Sequence, residues 1–153
     1  MKLSIVVPCY NEQESLPELF EKLEAVVARM GCEAEYIFVD DGSTDRTVAV
    51  LRALAERSPR VNLISFRRNY GKSAALTAGF RAASGDCVVT IDADLQDDPE
   101  EIPNLLRRID GGADLVSGWK ANRQDPVSKT LPSRVFNAVV RAATGLKLHD
   151  FNC

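Results

Sequence analysis

The sequence predicts an α/β protein with a mostly parallel sheet and helices on both of its faces. Short apolar runs of strand length alternate along the chain with longer segments whose apolar residues recur at helical spacing. Clusters of Asp, Asn, Gly and Ser follow several of the apolar runs. Strands joined through helices run parallel, so we expect these polar clusters to gather at the carboxyl edge of one sheet.

Strand and helix patterns alternate up to the acidic segment that begins at Asp92. Four apolar runs are predicted strands, at 3–8, 36–40, 61–66 and 88–91. Three segments between them have helical periodicity, at 16–30, 48–55 and 72–83. After the acidic segment we predict a helix over 99–109, a strand over 113–117 and a helix over 133–144.

Helix caps account for part of the polar pattern. Asn11 with Glu14 fits a capping box for the first helix. Asp98 with Glu101 fits the same motif for a later helix, and Pro99 suits its first turn. The acidic residues around Pro99 are therefore interpreted as helix-start chemistry and not as ligands.

The composition is that of a single globular domain. Its 153 residues, 45% of them hydrophobic, are enough for one core, so we predict one domain over 1–153. The segment 150–153 ends without a turn or a polar tail, and we expect the domain to continue beyond it. A net charge of −3 gives no support for nucleic-acid binding.

Cysteine and histidine usage exclude further classes of site. The four cysteines show no CxxC-like pairing, which fits a reducing compartment. His149 is the single histidine, which excludes a multi-histidine metal site and argues against a serine or cysteine triad. No stretch approaches about 18 consecutive apolar residues, so we predict no membrane span within 1–153.

The acidic segment holds the strongest candidate for a ligand site. Asp92 and Asp94 follow an apolar strand, and an extended chain would aim both and Gln96 to the same side. Neighbouring carboxylates repel each other unless a cation or hydrogen-bond donors compensate. Hard oxygen ligands suit Mg²⁺ or Mn²⁺, and such a cation commonly holds phosphate.

Other polar clusters admit two interpretations. Asp40 and Asp41, followed by Gly42, fit either a turn with a helix cap or a contact with a ribose or a base. Lys72 fits either a phosphate contact at a helix N-terminus or a solvated lysine. The residue five positions before the Gly-Lys pair is Phe66 and not glycine, which excludes a P-loop, and the chain has no GxGxxG.

Six short motifs in chain order point to one family. They are VVPCYNE (6–12), VDDGSTD (39–45), RNYGK (68–72), DADLQDDP (92–99), SRVFN (133–137) and the terminal DFNC (150–153). Together they resemble glycosyltransferase family 2, and within it the polyprenyl-phosphate sugar transferases. The resemblance implies a Rossmann-like GT-A fold. Relatives often have one aspartate fewer before the proline, but the extra one leaves the 92–96 spacing untouched.

The resemblance implies roles for the first four motifs. Four residues would contact the base and ribose of the nucleotide: Pro8, Tyr10, Glu12 and Asp41. Asp40 would support these contacts. Asp92, Asp94 and Gln96 would hold Mg²⁺ or Mn²⁺ against the diphosphate, and Ala93 between the two aspartates would belong to the donor-binding segment. Asp94 would thereby act in catalysis, and Lys72 is a further candidate for a contact with the donor.

The resemblance also implies an acceptor, a lipid monophosphate that is largely ionised at neutral pH. Such a nucleophile needs no general base and would displace the nucleotide in one step with inversion. It needs positive charge, which Arg134 with Lys120, Arg123 or Lys129 could supply. A hydroxyl acceptor would instead require a carboxylate base, for which Asp150 is the candidate.

The implied partners are a UDP- or GDP-linked sugar, an undecaprenyl or dolichyl phosphate and the cytoplasmic face of a membrane, with a homo-oligomer as a further option.

Two rival enzymes are a family 2 transferase acting on a saccharide hydroxyl and a dehalogenase-type phosphatase. The phosphatase is disfavoured, because its paired aspartates follow the first strand. A non-catalytic nucleotide-sugar binding domain remains an alternative of a different class.

Overall fold

The computed structural model describes residues 1–118, and these form a four-stranded parallel sheet with four α-helices. The strands are β1 (Lys2–Cys9), β2 (Glu33–Asp40), β3 (Val61–Ser65) and β4 (Cys87–Thr90). The helices are α1 (Leu16–Met30), α2 (Thr47–Arg57), α3 (Lys72–Ala82) and α4 (Ile102–Asp110), with a 3-10 turn, Pro99–Glu101, before α4. The predicted α/β class is confirmed.

The strand order is β3-β2-β1-β4, with every neighbouring pair parallel. The chain therefore proceeds outward from β1 to β3 and then returns to the other side of β1. In open α/β sheets, ligands bind in the crevice at the carboxyl ends of the strands where the order reverses in this way. Here the reversal lies between β1 and β4, so we expect a ligand site at the loops after these two strands.

Helices cover both faces of the sheet. On one face, the Phe20 ring of α1 makes an edge contact with Tyr36 of β2, with ring centroids 5.2 Å apart. On the other face, Ile37 and Val39 of β2 share a buried cluster with Ala75 of α3. Because successive residues of a strand face opposite sides, these two contacts place α1 and α3 on opposite faces. Both β1 and β2 are buried almost throughout, as expected of strands covered twice.

Two local predictions were wrong. Residues 113–117 are not a strand, and Leu115 is 73% exposed, because no described strand pairs with this short apolar run. The capping box at Asn11 and Glu14 does not form: α1 begins at Leu16 after Ser15, without a side-chain cap. The Asp98 cap is confirmed, since its carboxylate accepts a hydrogen bond from the Glu100 N–H at 3.0 Å.

The chain divides into two compact units, Met1–Pro103 and Asn104–Cys153, and the sheet lies wholly in the first. The single domain over 1–153 stays a prediction. The predicted helix at 133–144 lies outside the described residues. Within residues 1–118, no helix is both long and apolar enough to cross a lipid bilayer.

A polar cluster at the amino ends of the strands holds the sheet together around Glu35 of β2. Its carboxylate accepts hydrogen bonds from Ser4 Oγ of β1 at 2.5 Å and from the N–H and Oγ of Ser84 at 2.8 and 2.9 Å. Lys2 Nζ lies 3.3 Å away. Burial would raise the pKa of Glu35, but these bonds outweigh it and lower the pKa from 4.5 to about 2.

Replacing Glu35 should therefore cost stability in a pH-dependent way. A carboxyl whose pKa is depressed by folding stabilises the protein above its unfolded pKa, and this contribution is lost as the pH falls towards the folded pKa. We expect Glu35→Gln to lower the free energy of unfolding by about 3 kcal/mol near neutral pH. In urea titrations the deficit should fall by more than half by about pH 3.

The matched control is Glu33→Gln, at an exposed position of the same strand. It should change the free energy of unfolding by less than about 0.5 kcal/mol at either pH. An equal deficit for Glu35→Gln at both pH values would contradict the proposed charge dependence.

Candidate functional site

The loops that follow β1 and β2 are joined by hydrogen bonds between side chains and backbone. Asn11 donates its N–H to Ser43 Oγ, and its Oδ1 accepts from Thr44 N, both at 2.9 Å. Glu12 N donates to Thr47 Oγ1 at 2.8 Å. Asn11 has a positive φ of 58°, a conformation that Asn tolerates better than most residues. These long-range bonds take the place of the predicted capping box.

Asp40 and Asp41 end β2 and are nearly fully buried, at 1% and 3% exposed. Asp40 accepts hydrogen bonds from Ser43 N at 3.1 Å and from Ser65 Oγ at 2.9 Å. Its bond to Ser43 is the turn interaction that the sequence offered as one interpretation. Asp40 thus fixes the turn after β2 and ties it to the end of β3.

Asp41 holds the loop between β3 and α3. Its two carboxylate oxygens accept one hydrogen bond each, from Tyr70 N at 2.7 Å and from Gly71 N at 2.8 Å. The neighbouring Gly42 allows this close approach: it has φ of 72°, and a Cβ there would lie 2.3 Å from the carbonyl carbon of Arg68. The contact of Asp41 with a nucleotide stays a proposal.

The predicted nucleotide residues after β1 differ in exposure. Pro8 is partly buried in β1, Tyr10 is 46% exposed, and Glu12 accepts a hydrogen bond from Ser15 Oγ at 2.7 Å. Cys9, which lies between Pro8 and Tyr10, is buried. This burial, together with the charges of Asp40 and Glu12, raises the pKa of its thiol. A thiol held protonated in this way is a poor nucleophile.

The structure adds an aromatic candidate that the sequence reasoning did not single out. Tyr70 is 57% exposed, and the guanidinium of Arg68 lies 4.9 Å from the centre of its ring. Phe66 packs edge-on against the same ring, with centroids 5.7 Å apart. An exposed ring that other side chains hold in place, as Phe66 and Arg68 hold Tyr70, suits stacking on a base. The motif 68–72 already contained Tyr70, but only the fold shows that its ring faces solvent.

The segment after β4 is not extended. The prediction that strand alternation aims Asp92, Asp94 and Gln96 to the same side was therefore wrong. The strand ends at Thr90, and Leu95 has a left-handed φ of 61° within a turn. Gln96 donates its N–H to Asp94 Oδ1 at 3.1 Å, so a turn brings these two residues together, and strand alternation does not. A positive φ at a leucine costs about 1–3 kcal/mol and tends to occur at functional sites.

Asp92 is ion-paired with Lys72, the first residue of α3. The ammonium nitrogen lies 2.6 Å from Oδ1 and 2.8 Å from Oδ2 of the carboxylate. The ammonium thus stands where a cation bound by this carboxylate would be. Asp94 is exposed, whereas Ala93 between them is 3% exposed and supports the turn by packing.

The donors at this turn fit a hard divalent cation, although they do not form a complete cage. Asp92 already pairs with a positive group, the Lys72 ammonium, and Asp94 and Gln96 offer exposed oxygen atoms nearby in sequence. Within residues 1–118, no three His, Cys, Asp or Glu side chains converge as a ready-made metal site. Mg²⁺ is commonly bound by one or two carboxylates, with phosphate oxygens as further ligands. The metal role of these residues stays a prediction.

The remaining acidic residues serve the local fold. Asp98 caps the 3-10 turn, and Asp97 Oδ2 lies 3.4 Å from Asp92 N. The predicted acceptor residues Arg134 and Asp150 lie outside the described residues, as do the basic residues of the preceding segment: Lys120, Arg123 and Lys129.

Both a family model and curated relatives match this chain as a glycosyltransferase. The model of the family described as Glycosyl transferase family 2 matches residues 4–151. A curated relative from Pseudomonas aeruginosa, undecaprenyl-phosphate 4-deoxy-4-formamido-L-arabinose transferase, is 46% identical over 152 residues. The match covers 99% of this chain and 45% of the relative, so the chain spans about half the length of the curated relatives it matches.

Two solved structures are similar in fold. Glucosyl-3-phosphoglycerate synthase from Mycobacterium tuberculosis, in complex with UDP, has a TM-score of 0.72 and 26% identity over 96% of this chain and 53% of its own. A mannosyltransferase from Pyrobaculum calidifontis, in complex with GDP-Man and Mn²⁺, has a TM-score of 0.55. It is 32% identical over 60% of this chain and 27% of its own.

Proposed function

Because the chain belongs to glycosyltransferase family 2, we propose that it transfers a sugar from a nucleoside-diphosphate sugar to a polyprenyl phosphate. The proposed polyprenyl-phosphate acceptor is supported by one observation above all. Essentially the whole chain is 46% identical to transferases named for undecaprenyl phosphate. The GT-A fold supports the donor, since the similar structures were solved with UDP and with GDP-Man.

We place the donor at the carboxyl edge of the sheet, between the loops after β1 and β4. The exposed ring of Tyr10 offers a surface for the base, and Glu12 follows two residues later in the same loop. Asp41, as the residue that fixes the 66–71 loop, sets the position of Tyr70. Pro8 and Asp40 support these contacts from within the sheet.

Asp92, Asp94 and Gln96 would hold a divalent cation, Mg²⁺ or Mn²⁺, against the diphosphate. When bound, such a cation supplies Lewis-acid stabilisation of the charge that develops on the departing nucleoside diphosphate. The chain's own part is to hold two carboxylates at a turn whose Asp94 is open to solvent. The strained φ of Leu95 keeps Gln96 folded back towards Asp94.

A phosphate acceptor fits the chemistry of this chain, because the acceptor oxygen is already ionised and no general base is required. Arg134, with Lys120, Arg123 and Lys129, would neutralise the acceptor phosphate beside the anionic donor. The displacement at the anomeric carbon would invert its configuration. Sugar transfer would take place at the cytoplasmic face of a membrane, where a water-soluble donor and a lipid acceptor can meet.

Product analysis with competing acceptors tests this function. The full chain would be given a UDP- or GDP-linked sugar with undecaprenyl phosphate, and in parallel with saccharide acceptors. We expect a glycolipid whose sugar is joined through phosphate and inverted at the anomeric carbon. Transfer only to hydroxyl groups would contradict the proposed phosphate acceptor and would favour Asp150 as a base. Donor binding without turnover would favour a non-catalytic binding domain.

A further inference from the structure

We propose that Lys72 is a resident counter-ion of Asp92, which a divalent cation must displace before it can use this carboxylate. The inference rests on the proposed function, because it concerns the same cation site. It adds an order of events: the donor-free protein binds the cation weakly, and the nucleoside diphosphate releases the carboxylate by drawing the ammonium to itself.

The geometry of the pair carries this inference. Lys72 Nζ lies 2.6 Å from one oxygen of Asp92 and 2.8 Å from the other. A single ammonium therefore covers the edge of the carboxylate between its two oxygens. A metal ion that approaches Asp92 there meets both a blocked ligand and a positive charge.

The fold fixes where Lys72 starts, so the contact does not depend on a long flexible loop. Asp41, buried at the end of β2, accepts hydrogen bonds from the N–H groups of Tyr70 and Gly71, the two residues before the lysine. Gly71 adopts φ of 93°, and α3 begins directly after it. The backbone of Lys72 is thereby tied to β2, while its side chain reaches the turn after β4.

The pair is exposed enough to open. The side chain of Lys72 is 55% exposed and that of Asp92 is 34% exposed. Ion pairs in such contact with water contribute little and exchange partners readily. A diphosphate offers the ammonium a stronger anionic partner and offers the cation its own oxygens. Both changes favour the cation at Asp92, so the two ligands should bind cooperatively.

The test measures Mn²⁺ binding to the full chain by the loss of the free-ion electron paramagnetic resonance signal, without donor and with saturating UDP or GDP. Protein-free titrations correct for the Mn²⁺ that the nucleotide itself binds. We expect Lys72→Gln to bind Mn²⁺ about three- to tenfold more tightly than the original chain when no nucleotide is present. The enhancement of Mn²⁺ affinity by the nucleotide should be smaller in this variant. Lys72→Arg, which keeps the charge and can pair with both oxygens, should not tighten donor-free binding.

The matched control is Lys22→Gln, which removes an equal charge from the exposed Lys22–Glu18 pair on α1. It should leave Mn²⁺ binding unchanged. Unchanged or weaker donor-free binding in Lys72→Gln, with normal nucleotide-dependent binding in the original chain, would overturn the inference and leave the proposed function standing. Absence of Mn²⁺ binding in the original chain and in Lys72→Gln, with and without nucleotide, would overturn both.

Discussion

Asp94→Asn should lower the rate of sugar transfer by about a hundred- to a thousandfold, since it removes the open carboxylate from the proposed cation site. Asp94 is exposed, and its Oδ1 accepts one hydrogen bond, from the Gln96 N–H. The asparagine can keep that bond, so the turn should survive while the negative charge is lost. The measurement is kcat at saturating donor and Mn²⁺, with the thermal unfolding temperature as a check on folding.

The control for this prediction is Asp114→Asn, the same change at an exposed residue outside the sheet. It should leave transfer within about twofold of the original rate, because isolated surface charges contribute little. If Asp94→Asn kept its full rate and its dependence on Mn²⁺, the assignment of Asp94 to the cation would be wrong.

Asp41→Asn should produce the largest loss of stability among the site residues, about 3 kcal/mol in the free energy of unfolding. Asp41 is 3% exposed and accepts a hydrogen bond at each oxygen, from Tyr70 N and Gly71 N. An asparagine must turn its NH₂ group towards one of these N–H donors, which sets two donors against each other and leaves that N–H without its acceptor. Urea unfolding followed by circular dichroism measures the loss.

The same substitution should also weaken donor binding, because the loop that carries Tyr70 and leads into Lys72 loses its anchor. The exposed Asp114→Asn variant again provides the comparison and should shift the free energy of unfolding by less than about 0.5 kcal/mol. Full stability of Asp41→Asn would show that its two short hydrogen bonds are not needed to hold the loop.

The strands and helices could be predicted because their patterns are local. The continuous apolar run of β1 and the helical spacing of Leu16, Leu19, Phe20 and Leu23 are visible without any partner, and both elements formed where expected. The run at 113–117 shows the limit of this reasoning. A strand needs a neighbour to pair with, and no residue of the run itself reveals whether one is present.

The site was predictable in composition but not in arrangement. Asp92 and Asp94 stood out as neighbouring carboxylates after a strand, yet a turn at Leu95, and not strand alternation, shapes the segment. The partners of the polar groups come from distant parts of the chain. Lys72 pairs with a residue 20 positions away, and Asn11 bonds to Thr44, 33 positions away. The preference of Asn for a local cap was outweighed by these bonds.

The most direct test of the proposed site is calorimetric titration of the full chain with UDP-sugars and GDP-mannose, with and without Mn²⁺. We predict saturable binding to one of the two nucleotides that strengthens with Mn²⁺ and loses this dependence in Asp92→Asn. Binding that is indifferent to Mn²⁺, or Mn²⁺-dependent binding that persists in Asp92→Asn, would contradict a nucleotide-sugar and cation site at the carboxyl ends of β1 and β4.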